Sequence, residues 1–242
     1  MDILFVNFGN QSDCFISTSV VKGLYREYKE PDIFCVVEDD NTKVIFDYCP
    51  HIKGTFTINN IFNLPVKNFD LLISYGQYST GRIHAFDESI QVQETKSVFG
   101  NNYFDILYGN LKTGKNIFQV YYNIAGLKWC GESFNFKYYP KNKTKKNLVG
   151  LALVNSNLRN YVKDNLVGEE KLWDIPFKKN ILRKIDEVNR CYQIITDDFL
   201  TMNLAIYLKK EIFFLKTVPY NTRLEFFNSK YYVYHIPYQF VK

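Results

Sequence analysis

Twice along this chain, short apolar runs of strand length alternate with stretches of helical spacing, and that repeated order constrains the fold more than any other feature. Strand, turn, helix, strand is the pattern of a parallel sheet with helices on its faces. Ile3 to Asn7 is predicted as the first strand and Gly9 to Ser12 as a tight turn. Ser17 to Tyr28 follows as a helix, with Val20, Val21, Leu24, Tyr25 and Tyr28 on its apolar face. Ile33 to Val37, Gly54 to Ile58 and Phe69 to Ser74 supply three more strands. A short helix over Thr42 to Tyr48 stops at Cys49-Pro50, because a residue before proline is biased away from helical geometry. Gly76 to Gly114 is polar and weakly periodic, predicting loops with one helix near Asp87 to Thr95. Ile117 to Lys128 is a clearer helix, with Val120, Tyr121, Ile124 and Leu127 on one side.

The order then restarts. Leu148 to Val154 is a new apolar strand, Lys178 to Val188 a helix, Tyr192 to Thr196 a strand, Thr201 to Lys209 a helix and Glu211 to Lys216 a strand. Between the two series, Gly131 to Lys146 turns polar and basic around Pro140, the composition of a linker. The expectation is an α/β chain of two Rossmann-like β/α domains facing a cleft, residues 1–138 and 147–242, the second one reduced.

At 242 residues and 46% apolar, the sequence is long and apolar enough to bury such cores. Met1-Asp2-Ile3 lacks a basic segment before its apolar run, so the opening reads as a strand and not as a signal peptide. No apolar run approaches the ~20 residues that cross a bilayer. The five cysteines, Cys14, Cys35, Cys49, Cys130 and Cys191, stand singly and read as reduced buried thiols. A soluble, cytoplasmic protein is expected. The formal net charge of +5 is modest, and much of it lies in Lys141 to Lys146, a solvated segment by its pattern. No specific nucleic-acid partner is expected, although interleaved aromatics could stack bases. His51, His84 and His235 are far apart without ligand spacing, so neither a metal nor another cofactor is expected.

Open parallel sheets bind ligands beyond the carboxyl ends of their strands, where helix N-termini expose unpaired amides. Two segments place chemistry there. After the first strand, Phe8-Gly9-Asn10-Gln11-Ser12-Asp13 puts an acid at the mouth of the expected cleft; helix capping is an alternative role that can coexist with it. Later, Ile194 to Ala205 runs from a buried strand through Asp197 and Asp198 into a helix whose Thr201 hydroxyl and first amides could hold a phosphate. Here too, Asp198 or Thr201 as a plain cap is the alternative. Arg82 and His84, in the polar loop Thr80 to Ala85, are the residues best placed to reach an acceptor.

Together these elements resemble the bacterial heptosyltransferases and related glycosyltransferases of the GT-B fold. That family opens with a strand, a Gly-Asp turn, a Thr-x-Pro helix start and a Leu; Ser12-Asp13, Ser17, Ser19 and Leu24 stand in that register. Its later strand leads to Asp, a hydroxyl residue, Gly, Pro, Met, His and Leu-Ala; Asp198 to Ala205 stand there, with Leu200 in place of the glycine and Asn203 in place of the histidine. Cys49-Pro50-His51-Ile52 is similar to the family's Asn-Pro-His-Ile before its third strand. The resemblance implies sugar transfer from a nucleotide-sugar donor to a glycan, lipid-linked or protein acceptor, at a place peripheral to the inner membrane. It implies Asp13 as general base, and Asp198, Thr201, Asn203 and Lys171 on the donor side. Lys171 enters because Lys171-Leu172-Trp173 is similar to the family's basic residue ahead of Trp-Pro. The alternatives are a non-catalytic relative that keeps the fold as a binding or assembly module, favoured by Leu200 and Asn203, and a single-strand nucleic-acid binder.

Overall fold

In the computed structural model the described residues are 1–75, 79–97, 117–168, 170–177, 180–216 and 231–235. The chain divides into two compact units, Met1–Lys137 and the described residues from Tyr138 onward.

The first unit holds a five-stranded parallel sheet of β1 (Asp2–Asn7), β2 (Asp32–Val37), β3 (Ile52–Thr57), β4 (Asn68–Tyr75) and β5 (Gln91–Ser97). Its strand order is β3-β2-β1-β4-β5. The order reverses between β1 and β4, and the crevice at such a reversal is where doubly wound sheets bind ligands. On one face Leu4, Val6, Phe34, Val36, Phe69 and Leu72 pack with Ile58 and Ile61 of a 3-10 helix (Ile58–Asn63) and with Ile83 of a helix over Ser79–Phe86. On the other, Phe5 meets the rings of Phe46 and Tyr75 at 5.7 and 5.5 Å.

Helix α1 (Gln11–Glu27) begins earlier than its apolar spacing predicts, because Asn10 caps it by accepting from the amides of Ser12 and Asp13. Its buried hydroxyls are satisfied locally: Ser17, Thr18 and Ser19 donate to the carbonyls three residues back. After α2 (Asp40–Asp47) and α3 (Ser79–Phe86), α4 (Ile117–Ile124) docks on α1 through its tyrosines. Tyr122 donates to the Ser19 carbonyl at 2.6 Å and fills the room left by Gly23. Tyr75 of β4 donates to the Tyr121 carbonyl at 2.7 Å.

The helix expected near Asp87 to Thr95 is instead strand β5, an edge strand that rests Val92 on the core and leaves Glu94 exposed; charged side chains on an edge discourage pairing with other chains. Thr80 to Ala85 is not a loop but the body of α3, anchored by buried Ile83. Residues 76–78 and 98–114 of the stretch Gly76 to Gly114 lie outside the described residues.

The second unit holds β6 (Lys145–Ala152), β7 (Lys171–Asp174), β8 (Cys191–Thr196), β9 (Glu211–Lys216) and β10 (Tyr231–His235), all parallel, in the order β10-β9-β8-β6-β7. Its reversal lies between β6 and β8. Helices α5 (Leu158–Asn165), α6 (Ile181–Arg190) and α7 (Phe199–Tyr207) connect the strands. Val149, Leu151, Leu158, Val162, Ile195 and Leu215 form a core on one face.

The stretch expected as a linker is ordered on both sides of the unit boundary. Before it, Asn135 bonds Thr18 and Pro50, and the Lys137 amide reaches the Tyr48 carbonyl at 2.8 Å. After it, the Lys141 amide and the Tyr138 hydroxyl both donate to Asp186, and Thr144 donates to the Asn189 carbonyl. Lys145 and Lys146 already belong to β6, so half of the basic run is strand and strap instead of free chain. One cysteine also departs from expectation: Cys14, Cys35, Cys49 and Cys191 are buried, but Cys130 is exposed. No helix among the described residues is long and apolar enough to cross a membrane.

Candidate functional site

Asp13 lies in the first turn of α1, just beyond the carboxyl end of β1 at the β1/β4 reversal. It is not the cap; Asn10 is. The turn before it is compact. Asn7 is buried, accepts from the Gly9 amide at 2.8 Å and donates to Ser17 at 2.8 Å. The Asp13 Oδ1 accepts the Tyr121 hydroxyl at 2.7 Å. Burial pushes the carboxyl up, and the bonds from Tyr121 and the Asn10 backbone offset that only in part, so Asp13 stays above the usual carboxylate range. A half-buried carboxylate with a raised pKa at a sheet's carboxyl edge has the protonation behaviour of a general base.

Gly9 is needed for this packing. A Cβ there would lie 2.8 Å from the Asp13 Cβ and 2.9 Å from the Asn7 Oδ1. Gly9→Ala should therefore displace Asp13 and cost the first unit about 1–3 kcal/mol, the usual penalty for overpacking. Urea unfolding followed by tryptophan fluorescence checks this, and an unchanged midpoint would contradict it.

Arg82 stands on α3 near the same edge, its guanidinium 2.7 Å from Glu38 and 4.5 Å from the centroid of the Phe8 ring. His84 is two residues further along α3 and exposed. Both are available at the surface, although Arg82 is held by its partners.

In the second unit, Asp198 caps α7, accepting from the Thr201 amide at 2.9 Å and the Thr201 hydroxyl at 2.5 Å. A lysine that the sequence reading missed completes the group: Lys184 of α6 is 2% exposed, and its Nζ lies 2.9 Å from the same Asp198 Oδ2. The Phe177 ring covers that ammonium at 5.1 Å. Burial alone would raise the Asp198 carboxyl, but the Lys184 charge and the Thr201 bonds outweigh it and hold the group below its ordinary value. Its neighbour Asp197 behaves oppositely. Burial, with the Asp198 charge adding to it, raises Asp197 despite the bonds it accepts from the amides of Val154 and Asn155 at 2.6 and 3.1 Å. Asp197 thus ties the end of β6 to the end of β8 across the reversal.

Of the four residues expected on the donor side, the structure brings Asp198 and Thr201 together. Thr201 is fully buried with its hydroxyl directed to Asp198, which fits the cap role better than direct ligand contact. Asn203 is fully buried within α7. Lys171 is exposed and opens β7 at the amino edge, with the rest of that strand between it and the carboxyl edge. Leu200 is partly exposed beside Phe199, whose ring is 46% exposed. Both occupy the first turn of α7, where helix geometry leaves amides without intrahelical partners. Among the described residues, no group of three His, Cys, Asp or Glu side chains is placed to hold a metal ion.

No family model and no curated protein matches the chain in sequence. Solved structures match it in fold. A glycosyl transferase of family 9 from Veillonella parvula superposes with a TM-score of 0.70 at 13% identity, covering 96% of this chain and 85% of its own. The E. coli heptosyltransferase WaaC with ADP superposes at 0.65 and 12% identity, covering 99% and 94%. The E. coli ADP-heptose LPS heptosyltransferase II does so at 0.64 and 9% identity, covering 98% and 91%. The chain therefore shares its fold with these glycosyltransferases over nearly its whole length.

Proposed function

We propose that the chain is a glycosyltransferase that moves a sugar from a nucleotide-activated donor to an acceptor hydroxyl in bacterial surface-glycan or glycoprotein synthesis. The observation that supports this best is Asp13, a half-buried carboxylate with a raised pKa at the strand-order reversal of the first sheet. In the reaction Asp13 removes the acceptor's hydroxyl proton. The acceptor oxygen bonds to the anomeric carbon, the bond from that carbon to the diphosphate oxygen breaks, and the nucleoside diphosphate leaves with the electron pair. Arg82 and His84 are the surface donors available to an acceptor. On the donor side, the first-turn amides and the positive end of α7 meet the charge growing on the diphosphate. The exposed Phe199 ring beside them offers a stacking face for the nucleotide base. Lys184 neutralises Asp198, which would otherwise repel an anion. ADP-sugars head the candidate donors, since similar structures were solved with ADP and with an ADP-heptose analogue. The buried free thiols fit a cytoplasmic place of work, and a lipid-linked acceptor would bring the protein to the inner membrane periphery.

A second reading, a binding or assembly module without catalysis, is favoured by Leu200 and by the burial of Thr201 and Asn203. A thermal-shift series with nucleoside diphosphates separates the two. A ligand at 100 times its Kd stabilises by about 2.7 kcal/mol. We expect such a shift with at least one diphosphate, and Leu200→Gly should keep or enlarge it by opening the backbone to close approach. No shift with any nucleotide in either protein favours the module.

A further inference from the structure

We propose that Tyr121 is the positioning residue for Asp13, fixing the carboxylate's orientation and its protonation through one hydrogen bond from a helix far away in sequence. The proposal rests on reading Asp13 as the base.

The geometry isolates this contact. Tyr121 is fully buried, and its hydroxyl reaches the Asp13 Oδ1 at 2.7 Å. Tyr121 is held twice by Tyr75: the rings stack with centroids 5.3 Å apart, and the Tyr75 hydroxyl donates to the Tyr121 backbone carbonyl. Tyr75 ends β4, the strand that flanks β1 at the reversal, and its carbonyl accepts the Phe8 amide at 3.1 Å. The sheet edge thus holds Tyr75, Tyr75 holds Tyr121, and Tyr121 holds one oxygen of Asp13. The other oxygen, Oδ2, lies on the Gly9 side, where a Cβ on that glycine would come within 3.1 Å of it. Tyr121 thus fixes Oδ1, and the Asn10 backbone supplies the carboxylate's other bond.

The electrostatics agree. Burial raises the Asp13 carboxyl, and the Tyr121 bond is the larger of the two contacts that lower it. The Cys14 thiol beside Asp13 turns to the carbonyls of Asn7 and Gly9, and the charges of Asp13 and Asp39 add to the burial that raises it. Without the phenol, the carboxyl must titrate higher and lose its preferred rotamer.

The test compares Tyr121→Phe with Tyr122→Phe in the full-length chain. Tyr122 is the next residue of α4, and its buried hydroxyl goes to the Ser19 carbonyl instead, so it controls for loss of a tyrosine hydroxyl from this helix. The Asp13 carboxyl is titrated by carbon-13 NMR, assigned by its absence in Asp13→Asn. Tyr121→Phe should move its midpoint up by about one pH unit or more, as expected for a lost bond to a charged group, and Tyr122→Phe should leave it in place. No movement, or equal movement in both variants, overturns the proposal. In transfer assays the acid limb of kcat/KM should shift upward by the same amount in Tyr121→Phe, with the rate recovering toward wild type at higher pH. A loss equal at every pH would mean a merely structural tyrosine and overturns the proposal. If the carboxyl titration shifts as expected while neither wild type nor variant transfers sugar at any pH, the coupling stands and the glycosyltransferase reading falls.

Discussion

Replacing Lys184 by methionine should cost the second unit roughly 3–5 kcal/mol, the range for removing one partner of a buried ion pair. The methionine matches the lysine stem in bulk, so packing is nearly kept and the loss is electrostatic. Asp198, still partly buried and still capping α7, would have no cation opposite it. The double variant Lys184→Met with Asp198→Asn should be more stable than Lys184→Met alone, because the stranded charge is gone while Asn keeps the cap. Denaturant unfolding of the four proteins closes the cycle, and additive losses would show that the two side chains do not interact. Acid acts in the same direction. The folded-state pKa of Asp198 lies below its ordinary value, so its contribution is complete above about pH 4, the unfolded carboxylate's pKa, and is lost as pH falls through the lower folded value. Asp198→Asn should remove that part of the acid sensitivity.

Asp13→Asn should lower transfer by about 10²–10⁴-fold, the usual contribution of a positioned general base. Stability should barely change. Asn10, not Asp13, caps α1, and the amide oxygen of an asparagine can accept the Tyr121 hydroxyl as Oδ1 does. Because Asp13 is held above the usual carboxylate range, wild-type activity should rise with pH through that elevated value as the base form appears. The variant should lack this limb. Transfer by Asp13→Asn at a wild-type rate, with its fold intact by circular dichroism, would remove Asp13 from the chemistry.

The strands at the centre of both sheets were legible in the sequence because they are buried on both faces and so appear as unbroken apolar runs: Ile3 to Val6, Ile33 to Val37, Ile194 and Ile195. The edge strands β5 and β7 were not. β5 carries Gln91, Glu94 and Lys96, and β7 has only four residues, so neither shows the apolar signal of a central strand. The site was half legible. Asp13 and Asp198 are found by their place after a strand, which a linear reading can see. Lys184 and Tyr121 are not, because their roles depend on partners 14 and 108 residues away. A lysine within an amphipathic helix reads as solvated, and a tyrosine on an apolar face reads as core. Only the folded chain shows Lys184 closed under Phe177 and the Tyr121 hydroxyl turned to a carboxylate.

The central claim is sugar transfer with Asp13 as base, and release of nucleoside diphosphate from a panel of nucleotide sugars, ADP-sugars first, tests it most directly. Purified wild-type protein is incubated with each donor and a cell-envelope glycan extract as acceptor, beside Asp13→Asn. Acceptor-dependent diphosphate release is expected with at least one donor, with its near-complete loss in Asp13→Asn. No release with any donor, or equal release by the two proteins, would contradict it.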